Sequence, residues 1–470
     1  MSGVTSMSQH DLYGTRRALC TLIVLVSAFV SQAGASATLL LEEPYGKLGF
    51  FSPTGHVAVY LSGVCADSPL VLRPCAHGET GIVFSRYDGI NGYDWAAIPL
   101  IPYLYAVERP EDIPLFADAK MVAFLRDRYR RLHLRGIAPD KADGGTPDGN
   151  WYELVGSSYD RASYGFEIET SPEQDAALIR AYNSSPNRSH YRGVSRNCAD
   201  FVKDVINFYY SKALHRSVVA DVGITTPKQL ARTLVHYSGH HPELQLSKLV
   251  IPQIPGSLPR STAVHGVVES FFKSKKYIVP SAVVSPIFAG CVFAVYVGTG
   301  AGRFDPAHNA LVFAAGGEPE LPVGLEDRRA YQEELKGLLA NADAEGSSGH
   351  IRKQWARLQA RAQMEFDAQG RPVLQMRVGE RLVKVGVSAD NILSSSAPSQ
   401  LVQELLEAKL EAELSRKAAP TVSEKELVRD WQLLQQARNV EGKELADGFT
   451  PRPLQIPASA RSDRASGNLP

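Results

Sequence analysis

Two residues in this sequence have the types and surroundings to do chemistry together, a cysteine at the head of a helix and a histidine on a strand. Cys198 opens the segment Asn197-Cys198-Ala199-Asp200-Phe201-Val202-Lys203-Asp204-Val205-Ile206, in which apolar positions 198, 201, 202, 205 and 206 follow helical spacing. Ser195 and Asn197 are capping types just upstream, so the thiol falls in the first helical turn. Unpaired N–H groups and the positive end of the helix dipole favour thiolate there, which predicts a nucleophile with a lowered pKa. The competing reading is a buried structural cysteine. Upstream, Gly55-His56-Val57-Ala58-Val59-Tyr60-Leu61 alternates as a half-buried strand, with Val57, Val59 and Leu61 on one face and His56, Ala58 and Tyr60 on the other. A strand histidine facing the cysteine helix would be the thiol–imidazole pair of nucleophilic catalysis.

The elements that must position this pair are a sheet and a helix packed on it. Candidate strands fall at 55–62, 70–73, 81–87 and 163–169, and a helix at 117–134 is expected to carry Arg126, Arg128, Arg130 and Arg131 on a solvated face. The expected class is α+β, with an antiparallel sheet packed on the Cys198 helix. Gly-His-Val-Ala-Val-Tyr-Leu followed far downstream by Asn-Cys-Ala-Asp-Phe-Val resembles the circularly permuted papain-like thiol hydrolases, a group that includes lecithin:retinol acyltransferase-like and permuted NlpC-type proteins. The run from Tyr164 to Asp175, then a helix, then the Asn-Cys motif is similar to an exported bacterial branch of that group. The resemblance covers roughly residues 45–215. It implies catalysis by Cys198 and His56, with a third polar residue on the strand after the histidine strand. That position is not matched cleanly; His77 is the first choice, with Ser85, Arg86 and Asp88 as alternatives. His190 is a rival base, and Asn197 reads as a cap rather than an oxyanion donor.

Bulk properties bound the rest. The 470 residues suffice for two or three domains, and a formal net charge of zero with no basic domain argues against nucleic acid as a partner. Residues 1–37 read as an export signal: Arg16 and Arg17, an apolar run from Ala18 to Val30, then the cleavage motif Ala35-Ser36-Ala37. An uncleaved anchor is the alternative. Export makes a Cys65–Cys75 disulfide the expectation and leaves Cys198 free, with a Cys198–Cys291 link as its rival.

The expected organisation is a thiol-hydrolase domain at 38–251, then a linker and apolar segment at 252–325. A charged helical region with a short β-meander follows at 326–449, and a disordered tail at 450–470. Tyr277–Gly302 carries no charge but is interrupted by Pro280 and Pro286, so it reads either as membrane-associated or as a buried core segment. His236, His240, His241 and Glu243 match no metal-ligand spacing, and Gly298–Gly302 lacks the strand–helix context of a dinucleotide site, so neither metal nor cofactor is expected. The function expected is an exported cysteine hydrolase or acyltransferase acting on a cell-envelope peptide or lipid, in the periplasm or envelope. The alternative is an inactive envelope binding or scaffold protein that keeps the fold.

Overall fold

The computed structural model describes residues 35–46, 54–88, 90–189, 191–342, 362–378, 380–393, 399–414 and 422–445. Residues 1–34 of the expected export signal, His190 and the expected tail at 450–470 lie outside the described residues. The strands are β1 (Ser36–Glu42), β2 (His56–Leu61), β3 (Val64–Ser68), β4 (Val71–Pro74), β5 (Ile82–Ser85), β6 (Ala96–Pro99), β7 (Ser163–Glu169), β8 (Ser247–Ile251), β9 (Leu311–Val312), β10 (Gln363–Phe366), β11 (Pro372–Val378) and β12 (Arg381–Gly386). The helices are α1 (Leu100–Tyr105), α2 (Ala119–His133), α3 (Ser157–Asp160), α4 (Pro172–Ser184), α5 (Cys198–Tyr209), α6 (Pro227–Ser238), α7 (Val267–Lys273), α8 (Lys275–Val284) and α9 (Pro286–Thr299). They continue with α10 (Leu325–Ala342), α11 (Ala389–Ile392), α12 (Ser399–Leu414) and α13 (Glu424–Leu445).

The class is α+β. A seven-stranded sheet in the order β6-β5-β2-β1-β7-β8-β9 is antiparallel except for its β8–β9 edge, which is parallel. This departs from the purely antiparallel sheet expected, because β9 arrives from beyond the anticipated domain boundary. Alternation along the strands splits the core in two. Leu39, Leu41, Val57, Val59, Leu61 and Phe84 pack with Cys198, Phe201, Val202 and Val205 of α5. Leu40, Ala58, Val83 and Ile98 face the other way, toward α1, α2 and residues of the C-terminal region as far as Trp431.

Several expectations change here. Strand β1 begins at Ser36 with Ser36 and Ala37 buried, and the Thr170 N–H donates to the Ala35 carbonyl, so cleavage after Ala37 would remove the start of an interior strand. The stretch 252–259 is not a free linker. Ile254 N–H donates to the Ser158 carbonyl, Gly256 bridges to Ala117, and Gln253 is buried. On α2, Arg126 and Arg130 are buried rather than solvated: Arg126 donates to the Val155 and Gly156 carbonyls, and Arg130 to the Ala138 carbonyl and the Asp127 and Asp140 carboxylates. Buried guanidinium is tolerable only when its donors are satisfied in this way.

In the C-terminal region, β10–β12 form the expected meander. Helices α12 and α13 enclose Lys409, whose ammonium donates to Asp430 at 2.5 Å and Glu426 at 2.9 Å and lies 3.4 Å from Glu413. These three carboxylates are spaced as metal ligands could be, but the ammonium already occupies their centre.

Candidate active site

Cys198 is the first residue of α5, as its spacing predicts. Asn197 is the N-cap: its side-chain oxygen accepts from the Asp200 N–H at 2.9 Å, while Asp200 reaches back to the Asn197 N–H, closing a capping box. The Asn197 amide also donates to the Gly193 and Thr225 carbonyls, which pins the turn before the thiol. Arg86 holds the same turn from the sheet side. Its guanidinium bonds Asp94 at 2.7 Å, lies over the Phe201 ring and approaches the Asn197 carbonyl at 3.5 Å. Arg86 is thus a positioning residue for the helix start.

The sulfur is buried, with the Val57 and Ala199 N–H groups directed at it. The β2–β5 ladder covers only Val59–Leu61, so β2 is unpaired by β5 at Val57, and the sulfur meets the strand there. That is one residue from His56. Gly55 supplies the entry to this strand end: its φ is +69°, and a Cβ would stand 2.2 Å from the Glu42 carbonyl oxygen.

The expectation that His56 faces the cysteine helix does not hold. His56 pairs across strands with Glu42 and shares its face, opposite to that of Val57. Its ring stacks on Tyr87 at 4.0 Å between centroids and 10° between planes. Its Nε2 is buried without a hydrogen-bond partner. The two side chains therefore lie toward the same end of β2, the imidazole on one face of the sheet and the sulfur beside the Val57 backbone on the other side.

Burial holds His56 neutral, its pKa well below the usual histidine value, with the Arg161 charge acting in the same direction. Burial likewise pushes the Cys198 thiol up to about 11, despite the opposing Val57 and Ala199 N–H groups. This corrects the expectation of a lowered thiol pKa. The helix terminus is already served by a capping carboxylate, Asp200, and desolvation outweighs what remains of the dipole. The resting pair is neutral thiol and neutral imidazole.

His77 is not part of this site. It is exposed in the turn after β4, and the neighbouring Cys75 N–H donates to the Gly63 carbonyl beyond the far end of β2. Six residues of strand, about 17 Å at about 3.3 Å per step, separate that end from His56. The Cys65–Cys75 disulfide closes the β3–β4 hairpin as expected, and Cys198 and Cys291 are both free. Of the other third-residue candidates, Ser85 lies on the His56 face, buried and with its hydroxyl unpartnered, and Asp88 is exposed.

Sequence reasoning missed what surrounds the imidazole. Tyr87 and Tyr103 share a hydrogen bond of 2.9 Å, and Tyr103 donates to Glu42 at 2.7 Å. Glu42 pairs with Arg161 at 3.2 Å, which in turn donates to Glu153, itself the acceptor of the Tyr45 hydroxyl. Burial opposes the Arg161 charge, but Glu153 and Glu42 overcome it and raise its pKa; burial raises that of Glu42. No local signal pointed to Glu42, because β1 runs Ser-Ala-Thr-Leu-Leu-Leu-Glu without alternation and every one of its residues is buried. Tyr191 was also missed. Its phenol lies against the Cys198 backbone N–H and sulfur, on a loop tethered where Asp94 accepts from Ser189 at 2.5 Å and Arg196 at 3.0 Å.

Neither a scan against protein-family models nor searches of curated proteins and solved structures gave a match.

Proposed function

We propose that this protein is an exported cysteine hydrolase or acyltransferase of the permuted papain-like kind, acting on an ester or amide of a cell-envelope peptide or lipid. The observation that carries this reading is a free cysteine in the first turn of a helix and a buried imidazole whose Nε2 has no partner, both placed toward the same end of β2. An unsatisfied buried ring nitrogen has a cost in stability, and such costs concentrate at working sites. The chain-order histidine then cysteine, and the disulfide suited to an oxidising compartment, support the same reading.

The neutral resting pair favours general-base attack rather than a standing ion pair. As Cys198 Sγ bonds to the carbonyl carbon, its proton passes to the His56 imidazole. The tetrahedral intermediate collapses, the leaving group departs with that proton, and a thioester remains. Water or an acceptor alcohol or amine then attacks, giving its proton to the imidazole, and the thiol is regenerated. The Cys198 N–H, now covered by the Tyr191 phenol, is the donor available to the oxyanion once Tyr191 withdraws.

The test is acylation by an activated ester, p-nitrophenyl acetate, read by mass spectrometry of the peptides. A thioester at Cys198, lost in both Cys198→Ala and His56→Ala, is expected. Acylation at Cys291 alone, or at Cys198 undiminished in His56→Ala, overturns the reading. The scaffold reading would then stand, favoured by the raised thiol pKa and by the placing of His56 on the sheet face opposite to α5.

A further inference from the structure

Helices α8 and α9 are apolar and outside the core. Not one residue of either is buried, and no helix among the described residues is long and apolar enough to cross a membrane. The alternative of a buried core segment is thereby removed. The two helices are joined by Ser285 alone, and the most exposed apolar side chains cluster at that corner: Val283 at 79%, Val284 at 85% and Ile287 at 82%. Phe288 and Phe293 are about half exposed, and Phe271 and Phe272 of α7 stack against them and against Tyr277 and Tyr296.

Within the unit itself the charges are of one sign, although Lys273 is paired with Glu269 of α7 at 2.7 Å. From Ser270 to Phe304 there is no acidic residue, while Lys273, Lys275, Lys276 and Arg303 flank the apolar run on both sides. The helices are 10 and 14 residues long, about 15 and 21 Å, against a hydrocarbon core of about 30 Å. Their reach is therefore one leaflet. Aromatic rings beside an apolar corner and flanking lysines are the arrangement that suits the headgroup boundary of an anionic bilayer.

We infer that the α8–α9 corner inserts into one leaflet of an anionic phospholipid membrane, with Lys275 and Lys276 at the phosphates. The loop carrying Val218, Val219 and Val222, all exposed, is fixed to α7 through the Val267 N–H bond to Asp221 at 2.8 Å. That same loop leads to Thr225, whose hydroxyl donates to Asp200 in the first turn of α5 at 2.6 Å. The inference does not rest on the hydrolase reading.

The experiment is co-sedimentation of the full-length chain with vesicles of phosphatidylglycerol and phosphatidylcholine, and with phosphatidylcholine alone. Binding to the anionic vesicles should weaken at least about tenfold in the double variant Val284→Asp/Ile287→Asp. Lys275→Glu/Lys276→Glu should weaken it about tenfold on anionic vesicles and little on phosphatidylcholine. Both pairs lie on the surface, so unchanged circular dichroism is expected. As a measure of depth, Ile287→Trp should gain fluorescence that lipids brominated in the acyl chain quench. Wild-type protein that ignores both vesicles overturns the inference. So does binding that survives Val284→Asp/Ile287→Asp, which would assign it to the leader's apolar run, and so does a lipid-free dimer that this variant dissociates.

Discussion

Helices α5 and α9 make an instructive pair, since both are short, rich in apolar residues and carry one free cysteine, yet they meet opposite fates. On α5 the apolar residues form one stripe, and the stripe finds a sheet face of Leu39, Val57, Val59 and Phe84. On α9 they run all round, and neither the sheet nor the C-terminal helices cover them. Apolar content alone therefore does not decide burial; a matching partner face does. Cys198 ends up buried beneath Tyr191, and Cys291 exposed.

The largest expected effects test whether α5 is as tightly held as its contacts imply. Phe201 is nearly inaccessible, edge-on to Phe84 at 4.8 Å and beneath Arg86. Phe201→Ala should cost about 3–5 kcal/mol in urea unfolding, whereas Phe293→Ala on α9 should change stability by less than about 0.5 kcal/mol without lipid. Equal losses would dissolve the contrast. Arg161→Ala should cost about 3–5 kcal/mol, because Glu42 would keep a buried carboxylate without its cation. Retained stability would show that Glu42 simply takes up a proton.

Next comes reactivity. At pH 8 iodoacetamide should modify Cys291 on the order of a hundredfold faster than Cys198, whose thiol is held protonated to about pH 11. Tyr191→Ala should bring the Cys198 rate up by about tenfold as water reaches the sulfur; no change would mean that Tyr191 does not guard it. The sign for stability follows. With its folded pKa raised, Cys198 binds its proton more tightly in the native state, so its contribution is fully present below the unfolded value and is lost as pH rises toward 11. Cys198→Ala should flatten that alkaline decline. The smallest effect is expected of the cap: Asn197→Ala should cost about 1 kcal/mol in thermal or urea unfolding, with α5 otherwise intact.

The sequence by itself determined the local elements. The 3.6-residue stripe and the Asn197 cap fixed α5, strict alternation fixed β2, and the ten-residue spacing of Cys65 and Cys75 suited a hairpin disulfide. These depend on neighbours in the chain, so periodicity and capping chemistry reveal them. Only the tertiary structure decided which side of the sheet each residue meets. Alternation says that His56 and Val57 point apart, but not which of them faces α5; that depends on β1, whose Glu42 pairs with His56 and whose first residues overlap the expected cleavage motif. The thiol pKa was likewise beyond the sequence, because a helix terminus favours the charge while burial opposes it, and burial is a property of the assembled fold. His77, near in sequence to the second strand, is carried to the far end of β2 by the hairpin, a displacement that no local pattern encodes.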